Sequence, residues 1–149
     1  MSFQERMSLT VMTASTVAYI IFMLLIGRAW NAGRFEGPEG LVYTGKTLLI
    51  FIAIFIVLTV GSLIIQAIFE TVLTGEEDAM DEGEDERDRA YEFQSLRIQS
   101  IVSGVFFCAS LGALWAGFSG PVAIHLIFFG FFIGMIAGEL RKFLLYREG

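Results

Sequence analysis

Apolar positions along the chain fall into four long runs separated by shorter polar stretches. The runs cover about residues 8–27, 47–69, 98–116 and 121–145. Each is long enough to cross a hydrocarbon core of about 30 Å, which takes about 20 helical residues. Strands of a membrane barrel would instead alternate over short segments. The pattern predicts an all-α polytopic membrane protein, with four transmembrane helices in two hairpins and one domain over 1–149.

The connections sharpen this reading. The first, 28–46, holds the turn residues Gly33, Gly37, Pro38, Glu39 and Gly40. The third is the short Gly117-Phe118-Ser119-Gly120-Pro121. Glycine there ends one helix and proline suits the first turn of the next. Helices three and four are therefore expected as antiparallel neighbours. The second connection, 70–97, is an acidic linker whose latter part, from Arg87 to Gln99, reads as helix. The third helix is thus expected to extend into the cytoplasm before entering the membrane.

Composition narrows the class. The chain is 55% hydrophobic and 17% charged, with a mean hydropathy of +0.67. Soluble domains carry about 25% charge. A disordered chain, a disulfide scaffold and most soluble enzymes are excluded. The net charge of −6 is concentrated, since nine carboxylates fall within residues 76–88. A basic nucleic-acid surface is absent, so no direct nucleic-acid binding is expected. The single cysteine, Cys108, leaves no intrachain disulfide and no multi-cysteine metal site. The first apolar run lacks a signal-peptide cleavage pattern and is read as a retained span.

Lysine and arginine set the expected orientation. Arg6, Arg87, Arg89, Arg97, Arg141, Lys142 and Arg147 fall on one side, against Arg28, Arg34 and Lys46 on the other. Both termini and the acidic linker are accordingly expected in the cytoplasm. Trp30 and Tyr43 would lie near the outer interface, with Tyr91 and Tyr146 on the inner side.

Few residues offer chemistry. Gly130, Gly134 and Gly138 place a small residue at every fourth position of the fourth span. Gly104, Cys108, Gly112 and Ala116 form a similar stripe in the third. Such stripes let helix backbones approach closely. The tight hairpin suggests that the two pack on each other; alternatively one faces a second subunit. In the packed reading Cys108 is a small buried residue. The acidic run fails as an EF-hand: with Gly83 at the glycine position, Met80 and Arg89 fall where oxygen ligands belong. It reads as a hydrated linker, with no metal expected.

His125, one turn into the fourth span, stands without a second ligand at metal spacing. Thr10, Thr13, Ser15 and Thr16 form the one polar patch inside a span, satisfiable by their own helix. Thr10, Thr13, Thr16 and His125 are the candidates for a polar path. Glu70 and Glu139 lie near the inner ends of their spans, in reach of Arg97, Arg141 or Lys142, with Gln66 a turn above Glu70. The span centres hold no charge of the kind transporters place there. No metalloprotease, nucleophile-elbow, phosphate-loop or Cys-x-x-Cys motif is present, so neither an enzyme nor a cofactor is expected.

The stretch Asp85-Glu86-Arg87-Asp88-Arg89-Ala90-Tyr91-Glu92 leads directly into a span. It resembles the Asp-Glu-Arg-Asp/Glu signature of a family of small prokaryotic four-span membrane proteins without known activity. The ending is similar too, with Glu139-Leu140-Arg141-Lys142 and then Tyr146-Arg147-Glu148-Gly149. The resemblance covers the second half of the chain well and the first half by span pattern. It implies the cytoplasmic (inner) membrane of a prokaryote. It also implies a regulatory role, because members are often encoded beside small helix-turn-helix regulators.

The resulting expectation is a non-enzymatic regulatory or adaptor protein embedded in the lipid bilayer. Its acidic linker and helix would engage a cytosolic partner such as a small helix-turn-helix regulator, through Asp85, Glu86, Arg87, Asp88, Arg89 and Glu92. The alternatives are a homo-oligomeric channel or small transporter, with a seam along Gly130, Gly134 and Gly138, and a structural subunit of a larger membrane complex.

Overall fold

The structure is a computed structural model that describes residues 3–74 and 86–148. Among them are four α-helices: α1 (Phe3–Asn31), α2 (Gly40–Thr74), α3 (Glu86–Trp115) and α4 (Gly120–Glu148). Each is long and apolar enough to cross a membrane. At 1.5 Å per residue the 35 residues of α2 reach about 52 Å, well past the hydrocarbon thickness.

The helices continue through polar residues that the hydropathy runs leave out. A helix ends where its backbone is capped, not where its side chains turn polar. At the end of α1 the amide of Gly33 donates to the Trp30 carbonyl, and that of Arg34 to Ala29. Gly33 holds φ +67°, the left-handed conformation of a Schellman cap. Gly117, at φ +85°, repeats the device after α3: its amide reaches Leu114 and that of Phe118 reaches Ala113. Pro121 sits in the first turn of α4, where its missing N–H costs nothing. The first connection is thereby shortened to residues 32–39.

Successive helices run in opposite directions. Phe22 of α1 meets Phe51 of α2, and Ser8 of α1 meets Glu139 of α4. Ser110 of α3 bonds Ala123 of α4, while Glu92 pairs with Lys142 near the other end of both helices. The start of α1 and the end of α4 therefore lie at one end of the bundle, the termini end, and the 32–39 and 116–119 turns at the other, the turn end.

α4 is the shared helix. It packs along α3 on one side and on α1, and more lightly on α2, on the other. The α1–α2–α4 core is aromatic: Phe22, Phe51 and Phe132 are buried, with Tyr19, Phe55, Phe128 and Phe129 packed around them. Ring centroids stand 4.2 Å apart in Phe22–Phe51 and 5.2 Å apart in Phe51–Phe132. Outward, α2 and α3 expose Leu49, Val57, Ile65, Ile101, Val105 and Leu111. Such surfaces are costly in water and matched to lipid.

Candidate functional site

The termini end carries the polar chemistry. The first turns of α3 are acidic and the last turns of α4 are basic, each complementing its helix dipole. Antiparallel packing then sets one against the other. Lys142 Nζ donates to Glu92 Oε2 at 2.5 Å. The Tyr146 hydroxyl donates to Asp88 Oδ1 at 2.8 Å, and Arg141 Nη2 donates to Gln94 Oε1 at 3.3 Å. The Tyr91 and Tyr146 rings meet edge to face at 5.1 Å, with the Arg87 guanidinium 6.0 Å from the Tyr91 centroid.

These contacts frame a groove of about 250 Å³ that Asp88, Arg89, Glu92 and Lys142 line beside Phe93 and Leu96. Phe93 is 69% exposed and Leu96 is 50% exposed. Of the six residues expected to bind a partner, Arg89, Asp88 and Glu92 line this groove, whereas Glu86 and Arg87 are exposed beside it. Asp85 and most of the acidic run lie outside the described residues. Glu92 reaches across to α4 for its cation.

The seam between α3 and α4 differs from the expected one. Gly130, Gly134 and Gly138 are buried against α3. A Cβ at Gly134 would stand 2.8 Å from both the Gln99 carbonyl oxygen and Ser103 Oγ, and at Gly138 2.9 Å from the Ser95 carbonyl oxygen. A Cβ at Gly130 would collide with Phe106 Cβ. The face opposite is thus Ser95, Gln99, Ser103, Phe106 and Ser110, not Gly104, Cys108, Gly112 and Ala116. A Cβ at Gly104 or Gly112 would meet nothing within 4 Å, and Cys108 and Ala116 are exposed. Serines win this seam because their hydroxyls reach α4 carbonyls that no water would satisfy in lipid. Ser103 donates to Gly130 at 3.3 Å and Ser110 to Ala123 at 2.9 Å. The signal was present in the sequence as serines recurring at 95, 103 and 110.

The candidate polar path does not assemble. The hydroxyls of Thr10, Thr13 and Thr16 donate to carbonyls of their own helix, at Arg6, Leu9 and Met12. His125 lies toward the turn end, among the rings of Trp30, Phe35 and Phe129. Its Nδ1 donates to the Pro121 carbonyl at 2.6 Å, which leaves Nε2 as a buried acceptor with no partner among the described residues. Glu139 accepts from Ser8 Oγ at 2.6 Å, and Glu5, three residues before Ser8 on α1, is buried as well. Sequence reading passed over Ser8, whose role needs a partner 131 residues away.

Compared with protein-family models, with curated proteins and with solved structures, the chain matches none.

Proposed function

We propose that the chain is a non-enzymatic adaptor of a prokaryotic cytoplasmic membrane, spanning it four times in two hairpins with both termini inside. On this reading the paired ends of α3 and α4 project beyond the lipid and dock a cytosolic regulatory protein. The observation that carries it is the exposure of Phe93 and Leu96 beside a groove whose Glu92 and Asp88 already have intrachain partners. Such charges orient a partner at low desolvation cost, and the apolar pair supplies the contact area. The excess of lysine and arginine at the termini end supports the orientation. The resemblance of residues 85–92 to the Asp-Glu-Arg-Asp/Glu signature favours a regulatory partner.

The test places a photo-crosslinking side chain at position 93 and irradiates native membranes. One defined soluble protein should be captured, and lost on combined Arg87→Glu and Arg89→Glu substitution with the helix content unchanged. Capture that survives the double reversal refutes the assignment.

A homo-oligomer is the second reading, and the outward face of Gly104, Cys108 and Gly112 favours it, because its small residues meet open space. The seam would then lie on α3 rather than along Gly130, Gly134 and Gly138. Gly112→Leu should shift the detergent-solubilised mass toward monomer; an unchanged mass counts against that seam.

A further inference from the structure

A second groove lies between α1 and α2, toward the turn end, with a volume of about 360 Å³. Its floor is the Phe22–Phe51 pair, 1% and 6% exposed. Leu25, Ile50 and Ile54 form its walls, and each leaves about half of its surface open. Lys46 stands at the rim. The neighbouring Thr47 hydroxyl is engaged with the Tyr43 carbonyl at 2.8 Å. Lys46 has neither an ion pair nor a hydrogen bond among the described residues.

We propose that this groove binds an anionic phospholipid, with an acyl chain along the Phe22–Phe51 floor and the headgroup phosphate on the Lys46 ammonium. Lys46 is seven residues into α2, and Ile54 lies eight residues deeper, about 12 Å along the axis. The cation therefore marks the depth of the headgroups while the floor reaches into hydrocarbon. Water gains little beside Phe22, Phe51, Leu25, Ile50 and Ile54, whose side chains offer it no polar partner. A soluble anion would gain nothing from the aromatic floor. A helix of a second copy needs a small-residue face to approach closely, and branched Leu25, Ile50 and Ile54 deny it one. A zwitterionic headgroup brings its own cation, so Lys46 selects for net negative charge.

Native mass spectrometry of the full chain in mild detergent tests this, with phosphatidylglycerol and phosphatidylcholine of matched acyl chains as probes. One phosphatidylglycerol per chain should be retained in preference to phosphatidylcholine. Lys46→Gln should reduce that preference about fivefold, in line with one basic residue at a membrane surface, and Lys46→Arg should restore it. Ile54→Trp, which narrows the deep end, should lower retention of both lipids. Arg28→Gln, away from the groove lining, should change neither.

Equal retention of the two lipids, or an undiminished preference in Lys46→Gln, overturns the proposal. So does displacement of the lipid by millimolar inorganic phosphate, which would make this a plain anion site. A lipid-free dimer that Ile54→Trp dissociates would assign the groove to a second copy. Should Lys46→Gln lose its helix content, the Ile54→Trp result decides alone, and unchanged retention there refutes the site.

Discussion

Glycines on the two neighbouring helices α3 and α4 do opposite things. Gly134 is where α3 comes closest, so a methyl group there must push a backbone carbonyl aside. Gly134→Ala should lose about 1–3 kcal/mol, the usual cost of overpacking. Gly112 faces open space, so Gly112→Ala should be neutral or gain up to about 1 kcal/mol through helix propensity. Denaturant titration of the detergent-solubilised protein separates the two; equal effects would contradict the seam. His125 poses a different residue-scale question, since Nε2 is buried without a partner among the described residues. Its value lies in filling space among Trp30, Phe35 and Phe129. His125→Ala should cost about 2–4 kcal/mol as a cavity, whereas His125→Leu keeps most of the volume and should cost under about 1.5 kcal/mol. If leucine proves as damaging as alanine, the ring has a polar role that packing does not explain.

At the scale of elements, α3 is held differently along its length. Its membrane part is bound to α4 by close backbone approach and serine hydroxyls. Its first turns are bound by side chains that reach across polar surroundings. The Glu92–Lys142 pair is half exposed on the glutamate side, so Lys142→Ala should cost well under about 1 kcal/mol. Tyr146 contributes both a hydrogen bond to Asp88 and a ring edge to Tyr91. Tyr146→Ala should therefore speed amide hydrogen exchange over 88–92 several-fold and leave 101–110 protected. Uniform acceleration along α3 would show that the two parts do not behave separately. Caps matter at this scale too: Gly33→Ala forces a side chain into φ +67° and should cost about 1–2 kcal/mol.

The whole molecule is an open arrangement with α4 as its shared helix, not a closed bundle. α3 rests chiefly on α4, which leaves two of its faces to the surroundings. Cys108 is on one of them, in the span, and is exposed. Maleimides add to thiolates in water, so in intact cells Cys108 should stay unlabelled by permeant and charged reagents alike and react only after denaturation in detergent. In a Cys108→Ser background, a cysteine replacing Arg34 should label from outside and one replacing Phe93 only after the membrane is breached. The reverse pattern would invert the proposed orientation. Such labelling reads the charge asymmetry of the two ends directly, because the positive-inside rule acts on the loops and not on the packing.

The four helices were legible because lipid imposes a length and a polarity on any segment that crosses it, and 47–69 or 121–145 satisfies both without reference to any other residue. The cap at Gly117 was readable for the same local reason. Which faces meet was not. Inside lipid the hydrophobic effect no longer distinguishes a buried leucine from an exposed one, so the outward residues of α2 and α3 are as apolar as the core. The choice then falls to close approach and to hydrogen bonds between helices, and both depend on distant partners. Gly104 and Gly112 satisfy the spacing rule as well as Gly130 and Gly134 do. Only the tertiary structure places the serines of α3 against α4, brings Ser8 to Glu139, and leaves Lys46 facing an apolar groove without a counter-ion.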